Sequence, residues 1–209
     1  MLAWERRHAR EGRSWILLEH IAHDMAPRFD DALQRELGRI TGVIHAIDGG
    51  ALLQQRSWGT YVTERLRVRV DAAAGLCDLP PADEVSAAVQ PLLAARGEPR
   101  ALLHMDLREA NVCVRNGRIA GVIDLANALA GDPLIELGRI RSYGLLTPAF
   151  LGGYGTTEAE LAEHAQLLDA YELDTAALLA VVAVTEADDP HLFARMKAAA
   201  ERLARRVVA

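Results

Sequence analysis

A chain of 209 residues with 51% hydrophobic, 5% aromatic and 25% charged residues can bury a substantial core, which excludes a disordered or low-complexity protein. The formal net charge of -6 argues against nucleic acid or an anionic membrane surface as a partner. No apolar run approaches the roughly 18 residues that cross a bilayer, and no signal-peptide pattern follows Met1, so we expect a cytoplasmic protein.

The predicted elements begin with an apolar run at residues 14–19, which is typical of a short buried strand. An apolar stripe at helical spacing then predicts a helix that ends before residues 49–50. That stripe consists of Leu33, Leu37, Ile40, Ile44 and Ile47. Two further helices are predicted over about 58–74 and about 83–96, and Pro91 favours a kink or break in the second.

A β-hairpin is predicted next, after a brief strand at residues 101–104. Asn116 and Gly117 form the preferred two-residue type I′ turn, and the strands 111–115 and 118–124 flank it. Alternation along these strands turns one set of apolar side chains toward the core. That set is Val112, Val114, Ile119 and Ile123.

The same turn sets the register of the polar face of the hairpin. It places Asn111 opposite Val122, so that Asn111 and Asp124 become diagonal neighbours with backbones roughly 7–8 Å apart. Two oxygen ligands at that separation can hold one cation, which predicts a magnesium site. Upstream, His104, Asp106 and Asn111 have the spacing H-x-D-x-x-x-x-N of a kinase catalytic loop.

The rest of the chain is predicted to be mostly helical. Leu161, Ala165, Leu168 and Tyr171 form one apolar stripe, and residues 192–208 form a closing helix. Asp132 is expected to cap a helix that begins at Pro133. The fold class is therefore α+β and mainly helical.

Two scarce residue types limit the chemistry. Cys77 and Cys113 lie far apart and lack metal-ligand spacing, so we expect buried small side chains rather than a disulfide or a metal site. Lys197 is the only lysine in the chain, and any mechanism that needs a lysine must use it.

Three segments together resemble the catalytic and metal-binding segments of the aminoglycoside phosphotransferase family in order and spacing, namely residues 102–114, 121–124 and 131–133. Weaker likeness to the hinge strand and to two helices of that family extends to residues 15–19, 42–45 and 150–155. The resemblance implies the large, C-terminal lobe of a protein-kinase-like fold. It divides this single lobe into a remnant hinge strand (1–20), a helical part (21–100), the catalytic loop and metal-binding hairpin (101–133), and a helical substrate side (134–209).

The resemblance also implies an activity, the ATP- and Mg²⁺-dependent phosphorylation of a hydroxyl on a small molecule. Asp106 would orient the substrate hydroxyl and accept its proton during in-line transfer. Asn111 and Asp124 would hold Mg²⁺ on the nucleotide phosphates. ATP and Mg²⁺ are therefore the implied cofactors.

Other positions take supporting roles under the same resemblance. His104 and Arg108 would support the catalytic loop, and Glu19 at the hinge would contact the nucleotide. Met105 stands where the family usually has glycine, and Leu125 follows the metal aspartate where an aromatic residue is common, so loop packing is expected to differ.

A complete member of this family has a nucleotide-binding lobe before the hinge strand, with a phosphate-covering loop and a lysine. Here a short segment precedes that strand, and Lys197 belongs to the closing helix. Three explanations stay open: translation starts further upstream, another chain supplies the lobe, or the protein is a truncated or degenerate non-catalytic relative that acts in binding or regulation. A missing lobe would expose one edge of the hinge strand, which predicts a homodimer through that edge.

The substrate stays open among aminoglycosides, other sugars, amino alcohols and macrolides. The carboxylates of Glu158, Glu160, Glu163 and residues 186–189 would pair with the ammonium groups of an aminosugar, but we favour a solvated helix face. The remaining histidines, among them His45, show no metal-ligand spacing and are assigned no role.

Overall fold

The computed structural model describes residues 20–24, 29–52 and 56–209, together with the backbone of residues 3–5 and 15–17. The helices are α1 (Asp31–His45), α2 (Trp58–Ala73), α3 (Ala82–Ala94), α4 (Pro133–Ser142), α5 (Pro148–Tyr154), α6 (Glu158–Ala162), α7 (Ala165–Thr185) and α8 (Pro190–Val208). The strands are β1 (Ala3–Glu5), β2 (Trp15–Leu17), β3 (Ala101–Leu103), β4 (Val112–Arg115), β5 (Arg118–Val122) and β6 (Leu129–Gly131). The predicted mainly helical α+β fold is confirmed.

The described strands form three separate antiparallel pairs, β1 with β2, β3 with β6 and β4 with β5. β2 lies inside the run 14–19 that the sequence predicts as a strand, whereas no pattern indicates β1 or β6. Leu103 of β3 lies opposite Leu129 of β6. This pair brings the two ends of the segment 104–128 together and so encloses the predicted catalytic loop and hairpin.

Side-chain caps fix where several helices begin. Asp30 caps α1, Ser57 caps α2 and Asp132 caps α4, each by accepting a hydrogen bond from a backbone N–H in the first turn. The predicted helices at 58–74 and 83–96 match α2 and α3 to within two residues. Of the kink or break expected at Pro91, the break is wrong, because α3 continues through that residue.

The long helix α7 forms the axis of the helical part and packs against α2, α3, α4 and α8. Its buried side chains lie all around it, as expected of a helix in the centre of a core. The stripe predicted through Leu161 and Ala165 is interrupted, since α6 ends at Ala162 and α7 begins at Ala165. Among the described residues, no helix is long and apolar enough to cross a bilayer.

Glycines let α1 and α5 approach each other closely. A β-carbon on Gly38 would collide with the backbone of Phe150, and one on Gly153 would collide with the backbone of Arg35. This contact fixes α5 against the middle of α1, and Tyr154 at the end of α5 reaches His45. Both predicted free cysteines, Cys77 and Cys113, are buried, in keeping with a packing role.

Candidate active site

The predicted catalytic loop lies between β3 and β4, and its central side chain is Asp106. This carboxylate is 7% exposed and is surrounded by donors. Oδ1 accepts a hydrogen bond from the Tyr143 hydroxyl at 2.8 Å, and Oδ2 accepts one from Asn111 Nδ2 at 2.9 Å. The loop therefore presents a fixed, nearly buried acceptor.

Two arginines add positive charge around that carboxylate. Arg139 Nη2 lies 3.5 Å from Oδ1, and Arg108 Nε lies 3.3 Å from Oδ2. Burial alone would raise the pKa of Asp106, but the Tyr143 hydrogen bond and the two guanidinium charges outweigh it and lower the pKa below its usual value. Asp106 is thus ionised at neutral pH, which suits a group that orients a hydroxyl and accepts its proton as transfer proceeds.

Asn111 is held by the loop itself. Its Nδ2 donates to the backbone oxygen of Asp106 at 2.9 Å as well as to Oδ2. Because both amide protons are used, the remaining polar atom of the side chain is the oxygen Oδ1, an acceptor. The side chain therefore offers an oxygen of the kind that Mg²⁺ prefers.

The hairpin register differs from the prediction at its open end. Arg115 pairs with Arg118 as the Asn-Gly turn requires, but an irregularity between Cys113 and Val114 shifts the following pairs by one residue. Val112 therefore lies opposite Val122, and the backbone oxygen of Asn111 accepts a hydrogen bond from Ile123 N at 3.0 Å. The predicted pairing of Asn111 with Val122 is wrong because one extra residue enters β5.

The shift changes how Asp124 is placed. It does not continue the strand but turns into the left-handed region, with φ of 66° and ψ of 65°, and is exposed. Ile123, which we expected to face the core, is 40% exposed. Asp124 thus leaves β5 next to Ile123, whose N–H is hydrogen bonded to the backbone of Asn111, and it lies at the surface.

His104 connects the loop to the end of the hairpin. Its ring is fully buried; Nε2 donates to the Ile123 oxygen at 2.9 Å, and Nδ1 accepts from Asp106 N at 3.2 Å. These two contacts tie the backbone before Asp124 to the backbone of Asp106. The side chain of Arg108, by contrast, is half exposed and contacts Asp106, while its backbone oxygen accepts from Asn111 N at 2.9 Å.

Glu136 on α4 is a buried anchor that the sequence reasoning missed. Its Oε2 accepts from His104 N at 2.9 Å and its Oε1 from Met105 N at 2.6 Å. His45 Nε2 lies 2.8 Å from Oε2, and His45 Nδ1 lies 2.9 Å from the Tyr154 hydroxyl. One signal was available, because Glu136 stands among the apolar residues 134–137, and a charged side chain in such a run is buried only when it is paired.

Met105 occupies the position where the family resemblance expects glycine. Its φ is 66° and its side chain is 2% exposed. A non-glycine residue in this region costs roughly 1 kcal/mol, which the two hydrogen bonds from the loop to Glu136 offset. The loop therefore keeps a turn that glycine would adopt freely, and it gains a buried apolar side chain.

Other predicted residues lie elsewhere. Glu19 lies outside the described residues. Glu158, Glu160 and Glu163 are exposed on or next to α6, where Glu160 completes a capping box with Thr157, as a solvated helix face requires. In the described part of the chain, no group of three or more His, Cys, Asp or Glu side chains has the arrangement of a metal site.

Comparisons with known proteins concern the family and the fold of this chain. The family model described as the phosphotransferase enzyme family matches residues 2–173. The apo structure of a thermostable mutant of the aminoglycoside phosphotransferase APH(4)-Ia matches with a TM-score of 0.61 and 19% identity, covering 83% of this chain and 64% of its own. The streptomycin–ATP complex of APH(2″)-IIa matches with a TM-score of 0.54 and 14% identity, covering 93% and 71%.

A further structure of the APH(4)-Ia mutant, in complex with AMP-PNP and hygromycin B, matches with a TM-score of 0.61 and 19% identity, covering 84% of this chain and 64% of its own. At these identities the likeness shows the fold alone. This chain spans 64% of the length of the first of these structures. No curated protein matches the chain.

Proposed function

The chain belongs to the phosphotransferase enzyme family, and from that membership we propose that it phosphorylates a hydroxyl group on a small molecule with ATP and Mg²⁺. The observation that supports this most directly is Asp106, a buried carboxylate that Tyr143, Arg139 and Asn111 keep in one orientation and ionised. Phosphoryl transfer asks the protein mainly for positioning and charge neutralisation. To position the substrate hydroxyl, the protein needs a rigid acceptor for its proton, and Asp106 is the proposed acceptor.

In the proposed reaction, Asp106 accepts a hydrogen bond from the substrate hydroxyl and turns its oxygen toward the γ-phosphorus of ATP. The new bond forms between that oxygen and phosphorus, the bond from phosphorus to the β–γ bridging oxygen breaks, and the hydroxyl proton passes to Asp106. Arg139 and Tyr143 keep the carboxylate from rotating while this happens. His104 and Arg108 are proposed to support the loop.

Asn111 and Asp124 are proposed as the protein ligands of Mg²⁺. Their donor set fits a hard cation, because Asn111 has only its oxygen left to offer and Asp124 offers an exposed carboxylate. When bound, Mg²⁺ would neutralise negative charge on the nucleotide phosphates. The protein's part is to hold the two oxygen ligands at the end of the hairpin beside Asp106.

The proposal also names the phosphate donor, the cellular location and the oligomeric state. Related structures contain ATP in the APH(2″)-IIa complex and AMP-PNP in the APH(4)-Ia complex, and Glu19 at the hinge is the proposed nucleotide contact in this chain. An enzyme that uses ATP is expected in the cytoplasm.

In the described part of the chain, β1 and β2 form a two-stranded antiparallel pair. We propose that a homodimer forms through an edge of this pair.

A non-catalytic binding or regulatory protein is the second candidate, and one observation favours it. Lys197, the only lysine, donates to the Leu76 oxygen at 2.7 Å and pairs with Glu201 at 3.1 Å. It is therefore engaged at α8 and not near Asp106. A chain that binds the acceptor molecule but has no lysine for the nucleotide phosphates would bind without transferring phosphate.

Calorimetric titration with Mg²⁺ and ATP separates the two candidates. We expect ATP to bind only with Mg²⁺ present and expect Asp124→Ala to abolish that binding. Asp188→Ala is the matched control, since Asp188 is also an exposed aspartate with a positive φ, 47°. Absence of ATP binding to the folded chain would reject the phosphotransferase proposal and favour the binding protein.

A further inference from the structure

A cavity of about 290 Å³ adjoins the catalytic loop. Its wall includes Met105, the neighbour of Asp106, and Arg139, whose Nη2 reaches Asp106 Oδ1. Residues 126–129, which follow the predicted metal ligand Asp124, form another part of the wall. A small molecule in this cavity would therefore lie beside the catalytic loop that carries Asp106 and beside the segment that follows the proposed metal ligand Asp124.

Three arginines line this cavity, and no acidic residue lines it in the described part of the chain. Arg65 and Arg69 come from α2, and Arg139 comes from α4. One buried carboxylate, Asp174 on α7, lies behind the first two: both of its oxygens are 3.1 Å from Arg65 Nε, and it also pairs with Arg69. Arg65 and Arg69 thus share one buried carboxylate, and Arg139 pairs at 3.5 Å with Asp106 of the catalytic loop.

The positive charge of these side chains is crowded. Burial, together with repulsion from Arg65 and Arg139, lowers the pKa of Arg69 to about 10 against the attraction of Asp174. A fold does not gain stability by collecting buried like charges. Such a collection is instead typical of a place where a ligand of opposite charge binds.

Arg139 provides a second, independent sign of a ligand. The residue is 8% exposed, and its Nε is buried without a hydrogen-bond partner among the described residues. Leaving a charged donor unpaired in the interior is costly, and buried polar atoms in native proteins nearly always have a partner. The cavity-lining Arg139 therefore has donor capacity that the described residues do not use.

We propose that the acceptor substrate carries an anionic oxygen group, a phosphate or a carboxylate, which Arg65, Arg69 and Arg139 bind while its hydroxyl meets Asp106. This inference rests on the proposed phosphotransferase function and specifies its substrate class. A polycationic aminosugar is disfavoured in this cavity, because its ammonium groups would face three guanidinium groups. The bidentate geometry of arginine suits both phosphate and carboxylate.

Calorimetry without nucleotide tests the anion site directly. Glycerol 3-phosphate and glycerate each combine a hydroxyl with one of the two anions, and glycerol is the uncharged match. We expect at least one of the two anions to bind and glycerol not to bind. Binding of glycerol 3-phosphate alone assigns a phosphate group, and binding of glycerate assigns a carboxylate.

Substitutions on α2 locate the binding. We expect Arg69→Gln to weaken the affinity for the anion by about tenfold or more, since it removes one charged donor. Arg67→Gln, on the same helix but exposed and paired at the surface with Asp83, is the matched control and should leave affinity unchanged. Arg69→Lys, which keeps the charge, should recover part of the affinity, and thermal melting checks that each variant is folded.

Several outcomes would overturn the proposal. They are failure of both anions to bind to the folded chain, equal effects of Arg69→Gln and Arg67→Gln, and Arg69-dependent binding of hygromycin B in place of an anion. Displacement of glycerol 3-phosphate by ADP would assign the cavity to the nucleotide instead. The titration with anions contains no nucleotide. A failure of ATP to bind would therefore reject the phosphotransferase function without affecting the anion result. A failure of both anions to bind would reject the anion site without affecting the ATP result.

Discussion

Replacing Glu136 with glutamine tests whether this one buried side chain holds the catalytic loop. The carboxylate accepts from Met105 N through one oxygen and from His104 N and His45 Nε2 through the other. Glutamine has a single oxygen, so its NH₂ group must face one of these donors. One buried donor then loses its acceptor, at a cost of about 1–3 kcal/mol, and the remaining bonds change from charged to neutral. We expect Glu136→Gln to lower the free energy of unfolding by roughly 2–4 kcal/mol.

Urea denaturation measures that difference, with Glu163→Gln as the control because Glu163 is exposed. The control should change stability by less than about 0.5 kcal/mol. A double-mutant cycle with His45→Gln should give a coupling energy above about 0.5 kcal/mol, since the two side chains are in contact. If Glu136→Gln cost less than about 1 kcal/mol, the loop donors would have other acceptors and the anchoring role of Glu136 would be refuted.

Three further outcomes are expected. Asp106→Asn should reduce phosphate transfer, measured with radiolabelled ATP, by about 10²–10⁴-fold, and circular dichroism checks that the variant is folded. The folded chain lowers the pKa of Asp106, so the ionised carboxylate stabilises the fold at pH values above its unfolded pKa of about 3.9. This contribution is lost as pH falls through the folded pKa. Urea titrations at acidic pH should therefore show a smaller loss of stability in Asp106→Asn than in wild type. Gly153→Ala should cost about 1–3 kcal/mol because of its contact with Arg35, whereas the neighbouring Gly152→Ala, whose β-carbon would meet no atom within 4 Å, should be neutral or stabilising by calorimetric melting.

Local patterns predicted the parts of the fold that depend on local physics. The Asn116–Gly117 turn gave a hairpin whose first pairs are in the expected register, and the periodic stretch at 58–74 gave α2. The register failed beyond Cys113 because a bulge is set by tertiary packing and leaves no mark in the alternation of side chains. Strands of three residues, such as β6, are too short to show a period at all.

In the candidate site, too, contacts between residues close in sequence could be predicted, and contacts between distant residues could not. Asp106 and Asn111 lie five residues apart, so their spacing could be recognised and their hydrogen bond follows from the loop. The contact between His45 and Glu136 joins residues separated by 91 positions, and a lone histidine on a helix does not indicate its partner. The same holds for Arg69 and Arg139, whose approach depends on how α2 and α4 pack around α7.

The buried acids of α7 also determine how that helix can move. Asp169 pairs with Arg141 of α4 and Arg206 of α8, whereas Asp174 pairs with Arg65 of α2. Sliding α7 by one turn, about 5.4 Å, would separate both acids from their arginines, and each broken buried pair costs about 3–5 kcal/mol. These pairs therefore fix the spacing between α2, which carries Arg65, and α4, which carries Glu136. Ligands of different size in the arginine-lined cavity would then be accommodated by side-chain rotation and not by translation of these helices.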